Sequence, residues 1–158
     1  MQWRAGISEN SFQSYERNIK YVTKWDAVNK MLKVRDIMVK KVVTAKESTT
    51  LERVIEMLYQ KHIGSVVVTN RDEKCRGIFT ERDAIRAVAQ KTSLATPINK
   101  VMTKNVITIR EGATLTEAMG VIASHGVRHL PAVDRKGKIV GLLSMRAFLD
   151  ELFGIKKI

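Results

Sequence analysis

Residues 77–83 read Gly-Ile-Phe-Thr-Glu-Arg-Asp, and residues 141–147 read Gly-Leu-Leu-Ser-Met-Arg-Ala. Both stretches run from a glycine through apolar residues to a hydroxyl-bearing residue that precedes a polar, helix-forming segment. The same offset aligns residues 34–89 with residues 98–153 without a gap, and identical or similar residues recur throughout. A single register kept over so many kinds of element indicates two copies of one unit.

The first half of each copy predicts a strand followed by a helix. The β-branched stretches 42–44 and 106–109 predict a short strand. Apolar residues at helical spacing follow in both copies. Thr114 and Glu117 form a capping box in front of the second helix, and the stretch Thr-Thr-Leu-Glu at residues 49–52 offers the same chemistry in front of the first.

The second half of each copy predicts a β-hairpin and a closing helix. The predicted hairpin strands are residues 65–69 and 76–79 in the first copy and 130–133 and 139–143 in the second. Polar turns join each pair of strands, and the closing helices begin near Glu81 and Met145. Each copy is therefore a βαββα unit. One such unit buries too little apolar surface to fold alone, so the two sheets should pack on each other.

Composition places the chain among soluble globular proteins. Its 158 residues are 44% hydrophobic and 28% charged. The only cysteine, Cys75, excludes a disulfide framework and fits a reducing compartment. No apolar run reaches the roughly 18 residues that a membrane span needs, and the first residues lack the apolar stretch of a signal peptide. We therefore expect a cytoplasmic protein with no membrane partner.

The charge balance is strongly basic, with 28 Lys and Arg residues against 16 Asp and Glu residues and a net charge of +12. The excess is spread along the chain rather than concentrated in a tail. It can serve solubility or reflect the lysine-rich composition of heat-adapted proteins. Alternatively, it indicates a polyanionic partner, above all a nucleic acid, whose phosphates release counterions on binding.

Three stretches together resemble the CBS domain: residues 77–83, the pair 34–38 and 98–102, and residues 125–134. The resemblance covers residues 34–153. It implies an α/β (α+β) fold of two tandem βαββα CBS domains, packed sheet to sheet with pseudo-twofold symmetry. We place the first domain at 34–96 and the second at 97–158. Such pairs often form homodimers.

The resemblance also implies a regulatory ligand, AMP, ADP, ATP or S-adenosylmethionine, in a cleft between the domains, with no required cofactor. Asp83 would bind the ribose hydroxyls and Thr80 the ribose or phosphate. The full set for this first cleft is Thr80, Asp83, Met102, Ile107, Val127, Arg128 and His129. A carboxylate can accept two hydrogen bonds from a vicinal diol. The alternative for Thr80 and Asp83 is ordinary capping of the closing helix.

The second cleft departs from the family pattern. Ser144 is retained, but Ala147 stands where the motif has aspartate, and alanine cannot hold a ribose. We expect this cleft to be empty or to hold something else. His125 and His129 span a helix end and a strand and do not predict a metal site. No serine or cysteine has a plausible base beside it, so we expect no catalysis.

Residues 1–33 belong to neither copy. Apolar residues three or four apart predict an amphipathic helix from Ser11 to Leu32, which packs on the domain pair or its dimer mate, or docks a partner. The preceding tail carries Trp3 beside Arg4, a pairing that can stack on unpaired bases.

Three functions follow from these features. The first is a non-enzymatic sensor of an adenosine-containing ligand that signals to a partner. The second is a basic scaffold that binds RNA or the ribosome and regulates translation. The third is a regulatory subunit of a separate enzyme, channel or transporter. The fold alone does not decide among these three functions. The candidate polyanion contacts of the second are Trp3, Arg4, Lys40, Lys41, Lys104, Arg135, Lys136 and Lys138.

Overall fold

A computed structural model of the chain describes residues 32–152. The first repeat comprises α1 (Val34–Ile37), β1 (Thr44–Lys46), α2 (Leu51–Gln60), β2 (Ser65–Thr69), β3 (Cys75–Thr80) and α3 (Glu81–Ala89). The second comprises a 3-10 turn (Ile98–Lys100), β4 (Ile109–Arg110), α4 (Leu115–His125), β5 (His129–Val133), β6 (Ile139–Ser144) and α5 (Met145–Leu152). The N-terminal helix predicted up to Leu32, and with it Trp3 and Arg4, lies outside the described residues except for Leu32 itself.

Each repeat forms its own three-stranded sheet, in the order β1-β2-β3 and β4-β5-β6. In both sheets the first strand runs parallel to the second, and the second pairs antiparallel with the third. The register of each hairpin shifts at equivalent positions, between Val68 and Thr69 and between Ala132 and Val133. The predicted duplication and the α+β fold of two βαββα units are confirmed.

Both faces of the first sheet are covered. Val66 and Val68 point toward the helices and belong to the core of the first repeat. Val67 points to the opposite face, because side chains alternate along a strand, and it is also fully buried. A sheet buried on both faces is what packing between two sheets requires.

The first strand of each repeat begins later than predicted. We expected strands at 42–44 and 106–109, whereas β1 is Thr44–Lys46 and β4 is Ile109–Arg110. The carbonyl of Val43 still accepts a hydrogen bond from the Val67 N–H at 3.2 Å. Val42 and Val43 line a cavity before the chain enters β1, so the prediction was wrong because β-branched residues also suit an apolar cavity wall.

The helix starts follow the predicted capping chemistry with one difference. At α4 the Glu117 carboxylate accepts from the Thr114 N–H at 2.6 Å, and Thr114 Oγ1 accepts from the Glu117 N–H at 3.2 Å. At α2 the Thr50 hydroxyl accepts from the Arg53 N–H at 3.3 Å. Arg53 carries no acceptor with which to complete the box, so α2 has only half of it.

The leading segment of each repeat, residues 34–39 in the first and 98–103 in the second, packs on the other repeat. Val39 and Leu142 exchange backbone hydrogen bonds of 2.9 and 3.0 Å, and Thr103 and Ile78 do the same at the equivalent position. The leading segments also supply core residues: Val34 and Met38 are buried in the second core, and Ile98 and Met102 in the first. Neither core is therefore complete without residues from the other copy.

The motif glycines make this exchange possible. A Cβ at Gly77 would overlap the side chain of Met102, and a Cβ at Gly141 would overlap that of Met38. Each glycine thus leaves room for the methionine of the opposite leading segment. The requirement for glycine at this position comes from packing between repeats, since neither residue has a positive φ.

Candidate functional site

A cavity of about 810 Å³ lies between the two repeats and is lined by residues of both. It lies where β3 and β6 end and α3 and α5 begin, since Thr80 and Ser144, the last residues of these two strands, both belong to its wall. The rest of the wall includes an apolar part. The members of this apolar wall are Val39, Val42, Val43, Ile63 and Leu142.

Four cationic side chains converge on this cavity: Lys41, Arg82, Arg128 and Arg146. All four are solvent-exposed. No ion pair within 4.0 Å joins any of them to a carboxylate in the described part of the chain. Two carboxylates, those of Glu81 and Asp150, also line the cavity. An excess of unpaired positive charge in a concave site favours an anionic ligand.

Hydroxyl groups add hydrogen-bonding capacity to the cavity. Thr80 is the N-cap of α3, and the Ser144 hydroxyl accepts from the Ala147 N–H at 3.1 Å at the start of α5. Ser65 is only 4% exposed and lines the cavity, and its Oγ has no hydrogen-bond partner among residues 32–152. A buried hydroxyl without a partner costs stability, so a group that bonds to it is favoured there.

Thr80 and Asp83 are bonded to each other. Asp83 Oδ2 accepts from the Thr80 N–H at 2.9 Å and from the Thr80 hydroxyl at 2.7 Å. Asp83 Oδ1 lies 2.9 Å from the Arg86 guanidinium. Asp83 is 6% exposed and does not belong to the cavity wall. This is the capping arrangement that the sequence left open as the alternative to ribose binding.

Of the other predicted first-cleft residues, Arg128 and His129 line the cavity. Burial and the neighbouring Arg128 charge lower the pKa of His129, while Glu81 partly opposes them. Met102 packs against Gly77 and lines a separate pocket of about 320 Å³. Ile107 and Val127 pack against the second core, away from the cavity wall.

In the second cleft Ser144 lines the cavity and Ala147 does not. Sequence reasoning missed six wall residues with polar side chains: His62, Ser65, Glu81, Arg82, Arg146 and Asp150. The duplication could have found three of them. Ser65 is the equivalent of the predicted His129, and Arg82 and Arg146 are identical equivalents two residues beyond Thr80 and Ser144. No motif points to Asp150.

The remaining candidate residues are dispersed. Cys75 begins β3 rather than lying in the turn, its thiol is 3.6 Å from the Gly77 carbonyl oxygen, and burial raises its pKa. Lys41 lies in the cavity wall, and Lys138 pairs with Glu73 at 3.0 Å. The exposed polyanion candidates are Lys40, Lys104, Arg135 and Lys136.

Residues 32–152 contain no cluster of three or more His, Cys, Asp or Glu side chains that could hold a metal ion. None of their helices has both the length and the apolar character that crossing a bilayer requires.

The comparison with known proteins identifies the family. The family model of the CBS domain matches residues 34–90 and again residues 98–154. The chain belongs to the CBS-domain family. Among curated CBS relatives, an uncharacterized 17.7 kDa protein of Acidianus ambivalens is 32% identical over 78% of this chain and 74% of its own length. Inosine-5'-monophosphate dehydrogenase of Aquifex aeolicus is also 32% identical, but only 26% of its length is matched.

Two solved CBS structures share the fold and contain adenosine compounds. The CBS domain pair of protein MJ0100, in complex with 5'-methylthioadenosine and S-adenosyl-L-methionine, is 27% identical with a TM-score of 0.71 over 80% of this chain and 98% of that one. CBS domain protein PAE2072 from Pyrobaculum aerophilum, complexed with AMP, is 27% identical with a TM-score of 0.70 over 78% and 99%. The present chain is thus a tandem CBS pair of the kind seen in both.

Proposed function

We propose that this protein is a non-enzymatic regulatory module that binds an adenosine-containing ligand between its two CBS repeats and signals its presence to a partner. The observation that carries the proposal is the convergence of four cationic side chains, none of them paired with a carboxylate of residues 32–152, on a cavity with an apolar wall. AMP, ADP, ATP and S-adenosylmethionine all combine a flat apolar base with polar or charged groups. The two solved relatives, with AMP and with S-adenosylmethionine, support this class of ligand.

The ligand would lie with its base against the apolar wall and its anionic end among the cations. Thr80 stands at the N-terminus of α3, where backbone N–H groups favour a phosphate oxygen. If Asp83 is to bind the ribose, as the family resemblance implies, it must exchange its present hydrogen bonds to Thr80 and its ion pair with Arg86. That exchange would couple ligand binding to the start of α3.

Transmission to a partner would use the contact between repeats. The cavity wall includes Val39 and Leu142, the residues that join the first leading segment to β6. A ligand that changes their separation also changes how the two repeats are held together. The partner, whether an enzyme, a channel or a transporter, would read that change.

Isothermal titration calorimetry on the full chain with AMP, ADP, ATP and S-adenosylmethionine tests the proposal. We expect at least one of them to bind, and Arg128→Ala to weaken a phosphate-bearing ligand by about 10-fold or more, the effect of losing a charge-assisted hydrogen bond. Arg53→Ala is the matched control, because Arg53 is exposed, pairs with Glu56 and lies outside the cavity. Absence of heat with all four ligands would reject the sensor function.

We also propose that a second copy covers the outer face of the first repeat, in line with the homodimer that the resemblance implies. Tyr59 on α2 and Ile85 and Val88 on α3 are 80%, 72% and 72% exposed. Burying such side chains favours association. In sedimentation experiments the wild type should be a dimer and the Ile85→Lys/Val88→Lys variant a monomer. A monomeric wild type would refute the proposal.

A second candidate function, RNA or ribosome binding, is supported by the way the hairpin turns meet. Lys74 and Lys138 form an isolated bridge, and the Ile139 N–H donates to the Glu73 carbonyl at 3.1 Å. The duplicated basic positions therefore gather at one site: Arg71, Lys74, Arg76, Arg135, Lys136 and Lys138.

Co-sedimentation with ribosomes at several salt concentrations, with and without nuclease, tests this second candidate. Binding should weaken steeply with salt, and Arg135→Ala/Lys136→Ala should reduce the slope, because each lost phosphate contact removes roughly 0.7–0.9 from it. Arg53→Ala again serves as the control. A protein that stays in the supernatant at low salt would exclude the function.

A further inference from the structure

We infer that Asp150 is the carboxylate that binds the ribose hydroxyls of the ligand in the second cleft, in place of the aspartate missing at Ala147. This inference rests on the proposed function, since it names the residue that orients the ligand in the same cavity. It reverses the expectation that the second cleft has lost its means of holding a ribose.

The position of Asp150 on α5 supports the inference. Residues three apart lie on the same face of a helix and about 4.5 Å apart along its axis. Asp150 stands three residues after Ala147, so its carboxylate comes from the same face one turn further along. Asp150 and Ser144 both line the cavity, whereas Ala147 does not. The helix thus retains a hydroxyl at its start and an acid within reach of the cleft.

The bonding state of Asp150 differs from that of Asp83. At the equivalent positions of the first repeat, Asp83 and Arg86 pair with each other at 2.9 Å, and Asp83 lies outside the cavity wall. Asp150 forms no side-chain hydrogen bond or ion pair with the described residues, although Arg146 lies one turn earlier on the same helix. Glu81, the other carboxylate of the cavity wall, begins α3 of the first repeat, so Asp150 is the wall carboxylate that the closing helix of the second repeat supplies.

A carboxylate beside four cations gives the cavity both hydrogen-bond acceptors and donors for a ligand. An ionised carboxylate only accepts hydrogen bonds, and its two oxygens match the two O–H donors of a vicinal diol. It repels phosphate, so the anionic group of the ligand should lie toward Arg82 and Arg128 and the ribose toward Asp150. The shared chemistry is a riboside, which AMP and S-adenosylmethionine both provide.

Calorimetry on the full chain with AMP, S-adenosylmethionine and 2',3'-dideoxy-AMP tests the inference. The wild type should bind AMP at least about 100-fold more tightly than the dideoxy compound, the effect of two hydrogen bonds to a charged group. Asp150→Asn should abolish that difference by weakening AMP alone, and Asp150→Glu should restore part of it. Glu56→Gln, which changes an exposed carboxylate outside the cavity wall, is the matched control and should keep the preference for AMP. Asp83→Asn tests the competing assignment of the ribose to Asp83. If S-adenosylmethionine binds and AMP does not, the affinity for S-adenosylmethionine is the quantity compared between the wild type and the variants.

Each outcome has a distinct meaning. If the wild type binds a riboside and Asp150→Asn keeps the full preference for the diol, or Asp83→Asn alone removes it, the inference fails while the proposed function stands. If the wild type binds neither AMP nor S-adenosylmethionine, both fail. Far-UV circular dichroism of each variant confirms that it is folded, and Asp150→Glu keeps the comparison informative should Asp150→Asn unfold.

Discussion

The contact between Gly77 and Met102 predicts strong energetic coupling between the two repeats. Gly77→Ala would place a methyl group where the Met102 side chain now lies, and such overpacking costs about 1–3 kcal/mol. Met102 is 8% exposed and belongs to the core of the first repeat. Met102→Ala should therefore cost about 2–5 kcal/mol, the range for truncating a buried methionine.

In the double variant, the two changes should partly compensate. The methyl group at position 77 would occupy space that the shortened side chain at 102 has vacated, so the overlap disappears. We expect the total loss to fall short of the sum of the single losses by about 1–3 kcal/mol, within the range measured for residues in contact. Urea unfolding of the full chain, with the free energy taken by linear extrapolation at unchanged m-value, measures each variant.

Gly120→Ala provides the control for this cycle. Gly120 lies within α4, and a Cβ there meets nothing within 4 Å, so alanine should stabilise the protein by about 0.5–1 kcal/mol. In the double variant with Met102→Ala, the two changes in unfolding free energy should be additive. If the Gly77 and Met102 losses add within about 0.5 kcal/mol, the glycine does not make room for the methionine and the packing argument is wrong.

Three further predictions concern the caps, the cavity and the domain boundary. The Thr114 N–H and hydroxyl lower the pKa of Glu117. Their hydrogen bonds therefore stabilise the fold above the ordinary glutamate pKa of about 4, and this stabilisation is lost as the pH falls through the folded pKa. The loss of unfolding free energy in Thr114→Ala should accordingly shrink at acid pH, and a loss that stays constant would contradict the prediction. Because the pKa of His129 is lowered in the folded state, stability should fall as the pH drops below about 6.5, and Arg128→Ala should raise that pKa in an NMR titration of the imidazole; an unchanged value would rule out the Arg128 effect. A fragment of residues 34–96 lacks the second leading segment that completes its core, so it should show no cooperative unfolding transition, and a sharp transition would refute this.

The sequence predicted local structure well because the deciding interactions are short-range. The caps at Thr114 and Thr80, the hairpins and the closing helices depend on residues a few positions apart, and the duplication tests each of them twice. The start of β1 was missed because Val42 suits a strand and a cavity wall equally well, and only the tertiary structure separates the two.

The candidate site was predicted in part. The motif indicated Thr80, Arg128 and His129, which the fold brings to one cavity. It also indicated Met102. Its side chain packs against Gly77 instead, because the leading segment of the second repeat packs on the first repeat. A motif gives the order of residues but not the repeat on which a segment packs, so it could not predict this exchange of leading segments. Asp150 belongs to no motif, and its role depends on the geometry of α5 alone.

The exchange of leading segments has a consequence for biosynthesis. Proteins emerge from the ribosome N-terminus first, yet Val34 and Met38 find their core only in the second repeat. The first repeat in turn waits for Ile98 and Met102. Val34 and Met38 therefore stay uncovered in the nascent chain until the second repeat has been synthesised, and chaperones can act on them during that interval.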